Sequence, residues 1–143
     1  MDIKSTVNRL CKKYDSRNPF EIAKLMGVSV VFEHLGTIRG YYQRAYRNKI
    51  IHINTDLYER QQHFTCAHEL AHSILHPNVN TPFLREKTLF SVSKLEIEAN
   101  KFAVEMLYPD ESFEEYMYFT IPQIAQCLNL SEFLVEYKIK SLK

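Results

Sequence analysis

Three histidines fall at every fourth position in "CAHELAHSILHP", residues 66 to 77, and a carboxylate stands beside the first of them. His68 and His72 are four apart, so on a helix both side chains leave the same face one turn apart and can share one ion. Glu69 lies next to them. The H-E-x-x-H pattern suits metal-assisted hydrolysis. Two imidazoles bind Zn2+ at about 2.0–2.1 Å, and the adjacent carboxylate, not itself a ligand, takes a proton from the attacking water. The plainer alternative is a buried helix that happens to be rich in imidazole. Cys66 argues against it, because it lies about 200° around the helix axis from His68, which separates a core side from a metal side.

An open catalytic zinc takes a third protein ligand and keeps one position for water. His76 is one turn further along, yet about 12 Å of helix rise separates it from His68, too far to reach an ion gripped by both earlier histidines. It reads either as a residue behind the ligands or facing substrate, or as a helix C-terminal imidazole favoured by the dipole. The next helical stretch, "LEIEANKFA", offers two carboxylates, Glu96 and Glu98. Glu96 and Asn100 share a face, so one can bind metal while the other hydrogen-bonds a neighbouring ligand. Glu98, between Leu95 and Phe102, is the other candidate or a solvated flank.

These residues need a scaffold. "STVNRLCKKYD" carries Val7, Leu10 and Cys11 at helical spacing after a Ser/Thr start, and "NPFEIAKLMG" opens on Asn-Pro and closes on Gly. Two short helices are therefore expected first. "VSVVFEH", "IRGYYQR" and "KIIHIN" are short and rich in β-branched and aromatic residues, with turn signals between, and predict a small antiparallel meander. A helix from Tyr58 to Pro77 carries the histidines. A polar loop through "REKTLFSVS" then leads to a second long helix, "KLEIEANKFAVEMLYP", ended by Pro109. The tail predicts two helices, within about residues 120–142, with a turn at Asn129 and Ser131 as N-cap. The expected class is α+β: a small sheet packed on the histidine helix, followed by a C-terminal helical segment.

The chain has 143 residues, 45% of them hydrophobic, enough for one domain over 1–143 with a single core. The formal charge is +1 with both signs scattered, so there is no electrostatic footprint of a nucleic-acid or membrane binder. In the tail, Lys138, Lys140 and Lys143 are offset by Glu132 and Glu136, and no direct nucleic-acid contact is expected. No apolar run approaches the ~18 residues of a membrane span, and Cys11, Cys66 and Cys127 lack disulfide-like spacing, which predicts a cytoplasmic protein with buried free thiols.

With these residues in view, the chain resembles the ImmA/IrrE family of zinc metallopeptidases. The resemblance rests on "NPFEIAKLMGVSVVF", on "HFTCAHELAHSILH" as the active-site helix, and on "EIEANKFAVEMLYP" as the family's E-x-x-A-N-x-F-A helix. It implies a zincin-like, gluzincin-like domain with Zn2+ as cofactor. It also implies His68, His72 and Glu96 as ligands, Glu69 as catalytic base and Asn100 behind the ligands. The chain departs from the common pattern at Ala71, His63 and Tyr108, where Gly, Arg and Met are frequent. His63 bears on substrate contacts, because a permanent charge there becomes a titratable one. Compact members are similar to anti-repressor peptidases of phages and integrative mobile elements, which implies a helix-turn-helix repressor as protein substrate. Other members act in stress responses or toxin-antitoxin pairs.

The reaction class is peptide hydrolysis with an added donor for the developing oxyanion, for which Tyr41, Tyr42, His52 and His76 are unranked candidates. An extended substrate can add to an exposed sheet edge. The competing function is a non-catalytic zinc-containing module that binds a repressor or antitoxin without cutting it, and Glu69 discriminates, since binding alone needs no carboxylate there.

Overall fold

The structure, a computed structural model, describes residues 2–79 and 89–142, with the backbone alone over 89–93. Residues 85–88 of the expected polar loop lie outside the described residues.

Helix α1 (Ile3–Tyr14) starts slightly ahead of the Ser/Thr signal, because Asp2 caps it and accepts a hydrogen bond from the Ser5 N–H at 3.2 Å. Helix α2 (Pro19–Leu25) follows the Asn-Pro signal: Pro19 opens the first turn and Asn18 Oδ1 accepts from the Phe20 N–H at 2.9 Å.

Strands β1 (Ser29–Glu33), β2 (Gly40–Ala45) and β3 (Asn48–Asn54) follow. β2 and β3 form the expected antiparallel hairpin, with Tyr42 opposite Ile51. β1 instead runs parallel to β3, Val30 opposite Ile51, and the order is β1-β3-β2. The sheet is thus mixed, which corrects the expected antiparallel meander. The reason lies in residues 34–39, which join β1 to β2. Each can span about 3.3 Å, while crossing two strand spacings needs only about 9.6 Å, so β2 can land beyond the place that β3 takes. Buried Asn54 fastens this connection: Nδ2 donates to the carbonyls of Gly36 at 3.0 Å and Ile38 at 2.9 Å, and its backbone N–H donates to Arg39 O at 2.9 Å.

One face of the sheet, with Tyr42, Ile51 and Ile53 fully buried, lies in the core with α3 (Glu59–Leu75). Cys66, Ala67, Leu70 and Ala71 supply α3's core side, as the helical phase of Cys66 predicts. Helix α4 (Leu89–Leu107) begins inside the stretch expected as loop and packs along α3, burying Ala99, Phe102, Ala103 and Met106. Helix α1 packs on α4 as well.

Beyond Pro109 come the short α5 (Asp110–Phe113), a 3-10 turn (Glu114–Tyr116), α6 (Ile121–Leu128) and α7 (Glu132–Ser141). The α6–α7 turn is as expected: Asn129 is left-handed with φ 55°, and Ser131 Oγ accepts from the Leu134 N–H at 3.2 Å. Phe113, Ile124, Leu128 and Val135 make a second small core.

Lys138 is not a surface cation. It is fully buried, and its Nζ donates to Glu105 Oε1 at 2.7 Å and Asp110 Oδ1 at 2.8 Å. Tyr137 donates its hydroxyl to Glu105 Oε2 at 2.7 Å, and Lys4 pairs with Asp110 at 2.7 Å. Lys140 pairs with Glu136 at 2.8 Å. Cys11 and Cys66 are buried, whereas Cys127 is exposed on the outer side of α6, against the expectation of three buried thiols. Among the described residues, no helix is long and apolar enough to cross a membrane.

Candidate metal centre

α3 and α4 bring together the residues that the spacing singled out. His68 and His72 are 8% and 1% exposed, and Glu69 between them is 1% exposed, so three polar groups sit in a dry environment that demands partners. His68 Nδ1 lies 2.7 Å from Asn100 Oδ1, which assigns the ring N–H to that side and turns Nε2 toward Glu96, 3.3 Å from Oε2. His72 Nε2 lies 2.7 Å from Glu96 Oε1. Behind it, His72 Nδ1 is 2.9 Å from His76 Nδ1, and His76 Nε2 is 2.9 Å from Glu98 Oε1. If His72 donates from Nδ1 and His76 from Nε2, the row ends on a carboxylate and the His72 Nε2 lone pair faces Glu96 as well.

Two imidazole lone pairs and a carboxylate converge where only a positive charge between them is favourable. The titration behaviour agrees. Burial would discharge His68, but its hydrogen bond to Glu96 and the nearby Glu69 charge outweigh this and raise its pKa; burial lowers that of His72. Burial would likewise raise Glu96, yet hydrogen bonds from both imidazoles hold it far below the usual carboxylate range. A donor set of two imidazoles and an ionised carboxylate fits a zinc-like divalent cation. His68, Glu69 and His72 also offer ligand atoms within 4.8 Å of one another. Glu69 Oε2 stands 3.9 Å from His68 Nε2, however, and Glu96 approaches both rings more closely.

A cavity of about 190 Å³ lies over the group, with Arg39, Gly40, Thr65, Glu69 and Glu96 among its walls. None of the four suggested oxyanion donors lines it. Tyr41 and His52 stack at 4.2 Å on the other face of the sheet, where His52 sits between Glu33 at 2.6 Å and Gln43 at 3.0 Å. Tyr42 donates its hydroxyl to Pro77 O at 2.9 Å, and His76 holds His72 and Glu98. His63 lies edge-on to Phe20 with ring centroids 5.0 Å apart and does not line the cavity either.

Arg39 and Gly40 also line the cavity without any metal-ligand spacing to mark them, although a glycine at the start of a strand is a signal of close backbone approach. A Cβ on Gly40 would meet Thr65 Cγ2 at 2.7 Å and the His52 carbonyl. Gly40→Ala is therefore expected to destabilise the fold by about 1–3 kcal/mol, the usual cost of overpacking. Urea unfolding should show a lowered midpoint at unchanged slope, and an unchanged midpoint would mean that β2 is free to move off α3.

Residues 23–140 match a peptidase family described as the IrrE N-terminal-like domain. The chain is 48% identical over 126 residues to "Uncharacterized immunity region protein 2" of Bacillus phage phi105, covering 86% of this chain and 80% of that one. It is 31% identical over 146 residues to "Metallopeptidase ImmA" of Bacillus subtilis strain 168, covering 98% and 85% of the two chains. A solved "Mycobacterium tuberculosis transcriptional regulator" shares the fold, with a TM-score of 0.62 at 20% identity; this chain is covered to 99% and spans 47% of that one. The family model takes in both the sheet and the two helices whose imidazoles and carboxylates converge, and the protein belongs to the IrrE N-terminal-like family of metallopeptidases.

Proposed function

We propose that the protein is a zinc-dependent metalloendopeptidase of the gluzincin-like type that cleaves a helix-turn-helix repressor in the cytoplasm and so relieves repression. His68, His72 and Glu96 hold the zinc, and Glu69 is the general base. The observation that carries this reading is the convergence of two imidazole Nε2 atoms on Glu96, at 3.3 and 2.7 Å, beneath a cavity that Glu69 also lines. The relative from a phage immunity region supports a role in repressor control.

When bound, zinc supplies a Lewis acid that polarises the scissile carbonyl and acidifies water. The remaining work belongs to the chain. Glu69 accepts the proton of the attacking water on its carboxylate and returns it to the leaving amide nitrogen. Asn100 fixes the His68 ring by accepting from Nδ1, and the His76–Glu98 pair fixes His72 in the same way. β2 is an edge strand that begins at the cavity, so a substrate peptide adding along it would pass over the site.

Metal analysis tests the ligand set. The purified protein should carry about one zinc per chain. Glu96→Ala should lose it, while Glu98→Gln should keep the site and bind zinc about 10–100-fold more weakly, because His76 then lacks its charged anchor. Full occupancy in Glu96→Ala together with an empty Glu98→Ala protein would reverse the assignment.

A further inference from the structure

The cavity over the metal centre does not end there. A second cleft of about 410 Å³ continues from it and shares Arg39, Phe64 and Asn100 as walls. Its far side is the α6–α7 turn, with Asn129 and Leu134 in its lining, and Arg60 stands on its α3 side. The volume lies in the range of about 300–1,000 Å³ typical of specific ligand sites.

The charge of this cleft is one-sided. Among the described residues, two arginines line it and no carboxylate does, although acidic and basic residues are nearly balanced over the whole chain. Among the described residues, Arg60 makes one hydrogen bond, from Nη1 to the Cys127 carbonyl at 2.9 Å at the end of α6, which holds it in place and leaves its other donors to a ligand. Arg39 is placed by the backbone bond from Asn54 to its carbonyl, and it lines both cavities. Phe64 and Leu134 add apolar wall on which the aliphatic part of a bound side chain can lie.

We infer that this cleft is a specificity subsite that receives an acidic side chain of the substrate peptide near the scissile bond, with Arg39 and Arg60 as its recognition residues. The inference rests on the peptidase reading of the metal centre. It also gives the C-terminal helices a job: their turn walls the subsite instead of meeting nucleic acid.

The test uses the zinc-loaded, full-length Glu69→Gln protein, which cannot consume its ligand, and three N-acetylated, C-amidated pentapeptides of alanine with Asp, Asn or Lys at the centre. Titrations followed by amide chemical shifts should show the Asp peptide binding at least about tenfold more tightly than the Asn peptide, as expected for one charge-assisted hydrogen bond. The shifts should map to residues 39, 60 and 128–131. Arg39→Glu should abolish the preference for Asp and favour the Lys peptide. Arg60→Lys, which keeps a donor for Cys127 O, should retain part of the preference for Asp.

Equal affinity for the Asp and Asn peptides, or no shift up to the solubility limit, would overturn the inference, and neither result depends on a substitution at Arg39 or Arg60. A free-acid pentaalanine that binds as well as the amidated Asp peptide would also overturn it, in favour of a site for chain ends. Cleavage of the repressor by the unmutated protein is scored separately. Normal cleavage with no acidic preference removes only the subsite, whereas an acidic preference with no cleavage removes the peptidase reading.

Discussion

Cleavage of a co-expressed helix-turn-helix repressor is expected to fall by at least about 10²-fold in Glu69→Gln, the usual loss on removing a general base. Folding, zinc content and repressor binding should persist. The substitution keeps the size and helix propensity of the side chain, so α3 is undisturbed, and it leaves His68, His72 and Glu96 in place. What disappears is the ability of a 1% exposed carboxylate to take and return a proton. Gel analysis of the repressor, with and without the variant, reads the effect directly. Derepression in cells with no cleavage by either form would favour a zinc-containing module that acts by binding alone.

Lys138→Met should destabilise the protein by about 3–5 kcal/mol, the cost of leaving a buried charge without its partner. Glu105 is 2% exposed, and Lys138 is its only ion-pair partner among the described residues. Methionine retains the apolar stem of lysine but cannot compensate that carboxylate. Adding Glu105→Gln in the same chain removes the orphaned charge and should recover a large part of the loss, whereas two independent surface charges would give additive effects. Urea unfolding of the two single variants and the double variant decides between these outcomes, and a loss below about 1 kcal/mol for Lys138→Met would mean a pair of the solvated kind.

The candidate metal centre was legible in the sequence because its information is local. Residues four apart share a helix face whatever the tertiary fold, which places His68 beside His72 and Glu96 beside Asn100. Spacing left Glu96 and Glu98 open, and the family resemblance implies Glu96; in the structure Glu96 faces both imidazoles and Glu98 faces His76. Parallel pairing of β1 was not legible, because it depends on a connection folded around Asn54, and no local pattern states which strand will lie beside which. Lys138 misled for a similar reason. Its neighbours in sequence are Glu132 and Glu136, but its partners are Glu105 and Asp110, brought to it by the packing of α7 on α4. Arg39 was passed over because a lone arginine before a strand carries no periodicity.

Helix α1 has a consequence for where the folding unit begins. The stretch that the family model matches starts at residue 23, yet α1 lies along α4, burying Val7 and Cys11, and Lys4 reaches Asp110 and the Ser141 carbonyl. A protein trimmed to the stretch that the family model matches would therefore uncover an apolar flank of the helix that carries Glu96 and would remove one cation from Asp110. The matched stretch and the cooperative unit have different borders in this molecule. The border at residue 23 cuts through the hydrophobic core, so excision along it should yield a chain prone to self-association.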